Sequence, residues 1–234
     1  MKSILLPTLG LMILLSGCMS EKAVITRHYT IEWEDDRKEE AGENHRKEEA
    51  GENHRKEEAG ENQRKEEAGG NQGLVPGRLE IDQVEISPLY EKTQIVNRSD
   101  SHEISYYRYH QWAIRPAVAV MEVIRTYIEG AGMFESVSSQ YSRAIPDYHF
   151  MTTIRQLELI ESKNQFLAHL HIEFSLVSHA DGSTLLEHRA DRTTSLEKKE
   201  LNLFAAAISD MLVSELMAFD DLFRSQFAEL KDVQ

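Results

Sequence analysis

On the stretch "NQFLAHLHIEFSLVSH" (164–179), His169, His171 and Glu173 fall at i, i+2 and i+4. If this stretch is a β-strand, all three share one face, and imidazole with carboxylate is a donor set that Zn²⁺ accepts. The same alternation arises on any half-solvated strand, however, and same-face neighbours sit about 7 Å apart. No metal is therefore assigned to these weak candidates. His45 and His54 recur nine residues apart in a polar segment that offers nothing to hold them in place. Asn97-Arg98-Ser99 matches a glycosylation sequon and carries no further meaning. The chain contains no Gly-rich phosphate loop, no G-x-S-x-G elbow and no H-E-x-x-H pair. Scattered Asp and Glu pairs cannot be placed across a cleft from sequence. Nothing here supports an enzyme. The remaining reactive group is the single cysteine, Cys18, in "LLSGCMS" (14–20).

Cys18 sits directly behind an apolar run. Residues 4–15, preceded by Lys2, are interrupted only by Pro7, Thr8 and Gly10. Twelve residues are too few for a permanent membrane helix, which needs roughly 20. A basic start, a short apolar core and small residues behind it form the layout of a secretory signal peptide. The ending Leu15-Ser16-Gly17-Cys18 resembles the bacterial lipobox. That resemblance implies cleavage between Gly17 and Cys18, with diacylglycerol on the sulfur and an N-acyl chain on the new terminus. No other cofactor is expected. In the Gram-negative sorting pattern, Asp after the cysteine retains a lipoprotein in the inner membrane. Met19 stands there instead, which implies the outer membrane. With no second cysteine, no internal disulfide can form.

The formal net charge is −14: residues 1–31 contribute +2, residues 32–72 −7 and residues 73–234 −9. No basic stripe exists, so nucleic acid is excluded as a partner. Residues 37–72 read "RKEEAGENH RKEEAGENH RKEEAGENQ RKEEAGGNQ", four copies of nine. A stacking repeat must bury an apolar face, and each copy offers one alanine, so the composition reads as a disordered repeat insertion. Gly and Asn in every unit oppose a lone helix. Upstream, "VITRHYTIEW" (24–33) alternates like a strand. The repeats then form a loop inserted behind a first strand, which is tolerable because closure entropy grows only about 0.6 kcal/mol per doubling of length. The expected organisation is signal peptide 1–17, lipidated terminus and tether 18–23, first strand 24–36, repeats 37–72, an α+β domain 73–228 and a tail 229–234.

Within that domain, "RLEIDQVEISP" changes parity between Leu79/Ile81 and Val84/Ile86, as a strand with a bulge near Asp82-Gln83 would. "TQIVNR" and "HEISYYRYHQW" are further short strands. Pro116 suits a first helical turn and Gly130 a stop. Ala117, Val120, Met121, Ile124 and Ile128 mark the inner face of that helix. Residues 148–162 and 164–179 form a long hairpin, and a third strand follows the Asp181-Gly182 turn. Thr194 and Glu197 have capping-box spacing. A long helix from about Lys199 carries Leu201, Phe204, Ala205, Ile208, Leu212, Leu216 and Phe219 inward. The fold class is α+β: a single mostly antiparallel sheet with two helices packed on one face.

These features together resemble the ABC-type transport auxiliary lipoproteins, the PqiC/YmbA group. The resemblance rests on the lipobox, Tyr29-Thr30-Ile31, the aliphatic strand ending at Pro88, and "QIVNR…YYRYHQWA" (94–113). The repeats are foreign to the pattern, and Ile114-Arg115 stands where an acidic residue is expected. The resemblance implies a periplasm-facing outer-membrane lipoprotein and a non-enzymatic docking subunit. Its partners would be an MCE-domain protein and a permease complex of a lipid transport system, with homo-oligomer formation left open. Contact residues would fall in 89–112, where Tyr90, Tyr106, Tyr107, Tyr109 and Trp112 are of the kind interfaces favour. Equally, these aromatics could simply cover a sheet edge. The rival readings are a lipid- or small-molecule-binding lipoprotein and an envelope assembly factor.

Overall fold

The computed structural model describes residues 25–33, 74–139, 144–163 and 165–228. The signal peptide, Gly17, Cys18 and the nonapeptide repeats all lie outside the described residues. Nine strands and two helices follow one another in the described chain. The strands are β1 (Arg27–Tyr29), β2 (Val75–Ile81), β3 (Glu85–Ile86), β4 (Gln94–Asp100), β5 (Glu103–Trp112), β6 (Phe134–Ser139), β7 (Tyr148–Ser162), β8 (Gln165–Ser178) and β9 (Thr184–Leu196). Helix α1 (Pro116–Ala131) precedes β6, and α2 (Leu201–Ala228) closes the fold.

The meander β7–β8–β9 is the frame. In β8, Ala168, Leu170, Ile172, Phe174 and Leu176 are all buried while the residues between them face away, so one face is apolar throughout. β7 obeys the same rule only because it carries a bulge at Arg155. Phe150 and Ile154 lie inward before the bulge, and Leu157 and Leu159 after it. The extra residue switches parity and leaves Arg155 outside, bonded to Glu173 of β8 at 2.8 and 2.9 Å. The turn into β9 is fastened by Asp181, whose carboxylate accepts from the Ser183 amide and hydroxyl.

The sheet is mixed, which corrects the expectation of a mostly antiparallel one. β7–β8, β8–β9 and β4–β5 are antiparallel, but β2, β3 and β4 each run parallel to β7. β7 is fifteen residues long. The three shorter strands line its free edge in series, at Tyr148–Phe150, then Thr153–Ile154, then Leu159–Ile160. β6 adds parallel to β2, and β1 parallel to β5. Parallel partners need long crossovers, so no local turn signal announces them. The expected bulge near Asp82-Gln83 is a break between β2 and β3. Of the first strand's described residues, only Arg27–Tyr29 pair.

The helices touch each other, with α2 crossing β8 and β9 and α1 packing against β6. α2 is long and apolar enough by composition to cross a membrane. Its apolar side is spent on the sheet instead. Phe204 meets Trp112 at 5.6 Å, Phe219 meets Phe150 at 5.1 Å, and Phe223 meets Phe134 at 5.1 Å. These contacts run along the helix and tie β5, β7 and β6 to it. All seven residues expected on its inner face are buried. Its start is corrected: Thr194 pairs with Ala168 inside β9, so it caps nothing, and the helix begins at Leu201. α1 likewise runs past Gly130 and ends at Gly132, in the left-handed conformation with φ 61°. Its buried side includes Val123 and Tyr127, while Ala117 and Met121 are only partly covered.

Gly77 forms a joint at the irregular start of β2. Its φ is +108°, and a Cβ there would meet Asp147 Oδ2 at 2.9 Å. That oxygen already accepts from the Arg78 amide at 2.8 Å, and the Asp147 amide donates back to Arg78 O. Gly77→Ala should therefore cost about 1–3 kcal/mol, through left-handed strain and displacement of Asp147. Urea unfolding checks this, and an unchanged midpoint would contradict the geometry.

Candidate functional site

The face of the sheet opposite the helices holds a buried ionic network that sequence gives no means of assembling. Glu158 of β7 is fully buried. Arg98 of β4 grips it with Nε on Oε1 at 2.7 Å and Nη2 on Oε2 at 2.9 Å. The Tyr90 hydroxyl, from the loop between β3 and β4, donates to Oε2 at 2.7 Å. His169 of β8 lies beneath, with Nδ1 3.5 Å from Glu158 Oε1 and Nε2 2.8 Å from Asp191 of β9. Burial alone would push the Glu158 carboxyl up, but hydrogen bonding with His169, Arg98 and Tyr90 outweighs it and holds the group at about 2. The Glu158 carboxylate raises His169 against the opposing effect of burial, and Asp191 adds to the rise. Burial, reinforced by Glu158, pushes the Tyr90 phenol up.

A carboxylate held that low is no general base near neutral pH, where catalysis needs a group poised to exchange its proton. The network is a clamp. It fixes the Tyr90 loop onto the sheet and stitches β4, β7, β8 and β9 together. A second clamp holds α2 to β9: buried Glu215 accepts from Arg192 Nε and pairs with His188 Nε2, both at 2.7 Å.

The five aromatics of 89–112 do not form one patch. Tyr90 and Trp112 are each 2% exposed and belong to the interior. Tyr106 and Tyr109 stand outward at 47% and 40%. Tyr107 turns toward a groove of about 1320 Å³ that lies between the β1 segment and the start of α2. There it meets His110 edge-on at 5.7 Å and lies 6.0 Å below the Lys199 ammonium, which pairs with Glu161. Tyr29 stacks on His110 and bonds its Nδ1 at 2.8 Å. The groove floor is α2, through Ala205, Ser209 and Val213. An open trough with an aromatic rim and mixed charge suits a protein segment better than an enclosed ligand.

His169, His171 and Glu173 do share a face, as their spacing predicts. His169 is nonetheless held in the clamp and Glu173 by Arg155, while His171 lies between Glu173, at 3.8 Å, and Asp191, at 4.0 Å. Among the described residues, those that come together with metal-ligand spacing are Glu80, Asp82 and His149. They are missed from sequence because they meet only through the parallel β2–β7 pairing.

Comparison with known proteins fits this architecture. The fold resembles protein XCC0632 from Xanthomonas campestris, at 14% identity and a TM-score of 0.57, over 69% of this chain and 91% of that one. Lipoprotein GNA1162 from Neisseria meningitidis is similar at 10% identity and a TM-score of 0.34, over 59% of this chain and 97% of that one. A PelC dodecamer from Paraburkholderia phytofirmans is similar at 10% identity and 0.36, over 62% and 90%. No curated protein matches the sequence. The model of one family, the ABC-type transport auxiliary lipoprotein component, matches residues 61–217, from the end of the repeats into α2. The chain belongs to the ABC-type transport auxiliary lipoproteins.

Proposed function

We propose that this lipoprotein is a non-enzymatic docking subunit of an MCE-type ABC lipid transport system, fixed to the outer membrane by acyl chains on Cys18 and facing the periplasm. The family match over residues 61–217 carries the reading. The surface supports it: β5 presents Tyr106 and Tyr109 to solvent, and the groove beside Tyr107 opens next to β1, nine residues after Cys18 at its start. An MCE-domain protein engages this aromatic rim, while the clamped sheet behind it stays rigid.

Affinity capture of the full chain from detergent-solubilised envelopes tests the idea. MCE-domain and permease subunits should co-purify. Tyr106→Ala with Tyr109→Ala should weaken capture strongly, since an interface aromatic is worth about 2 kcal/mol, or about thirtyfold in Kd. Copies of bound lipid without any transporter subunit would favour the ligand-binding reading instead.

A further inference from the structure

We propose that the free edge of β1 is a strand-addition site, where an extended segment of a partner protein pairs with the outward main-chain groups of His28 and Thr30. The choice of partner rests on the docking reading above; the mode of contact rests on the geometry. β1 ends the sheet, with β5 on one side and, among the described residues, no strand on the other. In an extended chain the amide and carbonyl of one residue point to one side and those of the next residue to the other. The Tyr29 carbonyl points to β5, where it accepts from the Ala113 amide at 2.7 Å. His28 and Thr30, on either side of it, therefore direct their main-chain groups the opposite way. Glu32 shares their parity, and its amide donates to Ser209 Oγ of α2 at 3.2 Å, so this edge faces α2. Among the described residues, no main-chain group pairs with the amide or carbonyl of Thr30.

Unpaired edges are common in open sheets, but this one lines a groove. His28 and Thr30 stand on one wall, and Ala205, Ala206 and Ser209 of α2 on the other. The side chains of α2 at this wall are short, which leaves room for a second backbone beside β1. The groove is open and, at about 1320 Å³, larger than the roughly 300–1,000 Å³ of small-ligand sites. It carries both signs of charge, Arg27 and Lys199 against Glu32 and Asp210, so it favours no simple anion or cation. Unpaired main-chain donors and acceptors are satisfied by another main chain, as in strand addition to a sheet edge. The outer edge of β9 supplies the contrast. Glu187, Arg189, Asp191 and Arg192 crowd that edge with charges of the kind that discourage pairing. His28 and Thr30 bring neither carboxylate nor guanidinium to β1. The aromatic rim of Tyr29, His110 and Tyr107 borders the place where the added strand lies.

The test is selection of short random peptides, displayed as a library, on the purified full chain, followed by fluorescence titration of the tightest binder. N-methylation of one alternate set of its amides should abolish binding and of the other set should not, as pairing along a single edge requires. Thr30→Pro removes an outward amide and should weaken binding about tenfold or more, whereas Thr30→Ala keeps the amide and should not. Proline is tolerated where an edge strand's N–H faces outward, and His28→Pro against His28→Ala repeats the comparison should Thr30→Pro misfold. No selected binder, full affinity in the folded proline variants, or indifference to the position of the N-methyl groups overturns the proposal. So does a dimer of the purified chain that Thr30→Pro disperses, because the edge then belongs to a second copy. In the envelope capture, loss of MCE-domain and permease subunits with Thr30→Pro supports both readings. No capture by the unsubstituted chain, with the alternating N-methyl pattern intact, overturns the docking reading and upholds strand addition.

Discussion

Glu158→Ala is expected to destabilise the domain by about 3–5 kcal/mol, because it leaves buried positive groups facing one another without their counter-charge. Arg98 loses both of its bonds to the carboxylate and keeps only Ser101 O, Tyr90 loses its acceptor, and His169 keeps only Asp191. The pH dependence identifies the cause. Glu158 titrates in the folded state at about 2, below its ordinary value of 4.5. Its contribution is therefore complete above 4.5 and drains away as the pH falls toward 2. His169 is raised above its ordinary 6.5, so its contribution is complete below 6.5 and is lost as the pH rises through the raised folded value. The gap between the original and substituted chains should thus be widest near pH 5–6.5 and narrow on both sides. Urea unfolding across pH 3–9 measures it. A gap below about 1 kcal/mol, or one independent of pH, would mean that the network contributes packing alone.

The same network shows what a linear reading can reach. The elements were legible where their pattern is local. β8 alternates without a break, Asp181-Gly182 makes its turn, and Pro116 opens α1. β7 was legible as a strand, but its inner face needed the bulge at Arg155, which only the pairing with β8 reveals. Parallel edges were not legible at all. Arg98 meets Glu158 across 60 positions, and Glu80 meets His149 across 69, through strands with no hairpin between them. Of the chemistry-bearing residues, the sequence pointed to His169 and to Tyr90, both of which prove to be parts of a clamp. It gave no hint of Asp82 and His149, whose only signal is a register that topology imposes. Thr194-Glu197 was misleading for the opposite reason: a good local signal was overridden because β9 gains more by continuing its pairing with β8 through Leu196.

Membrane attachment should depend wholly on Cys18. With Cys18→Ser behind a leader that ends in an ordinary cleavage site, the exported chain should take up no labelled palmitate and should leave the envelope pellet. The two or three acyl chains proposed for Cys18 would exceed the marginal binding of one, since each buried CH₂ contributes about 0.8 kcal/mol. Among the described residues, no apolar face left off the sheet replaces them. α2 is apolar enough to tempt a membrane reading, but Phe204, Ile208, Leu212 and Phe223 are wholly buried against the sheet. Exposing them would mean unfolding the core. The body is also acidic, at −9 over residues 73–234, so anionic headgroups repel it. A serine chain that still sediments with membranes would therefore locate the attachment in a protein partner. The aromatic rim of β5 would then be the place to break it: Tyr106→Ala with Tyr109→Ala should release the serine chain while leaving the acylated one in place.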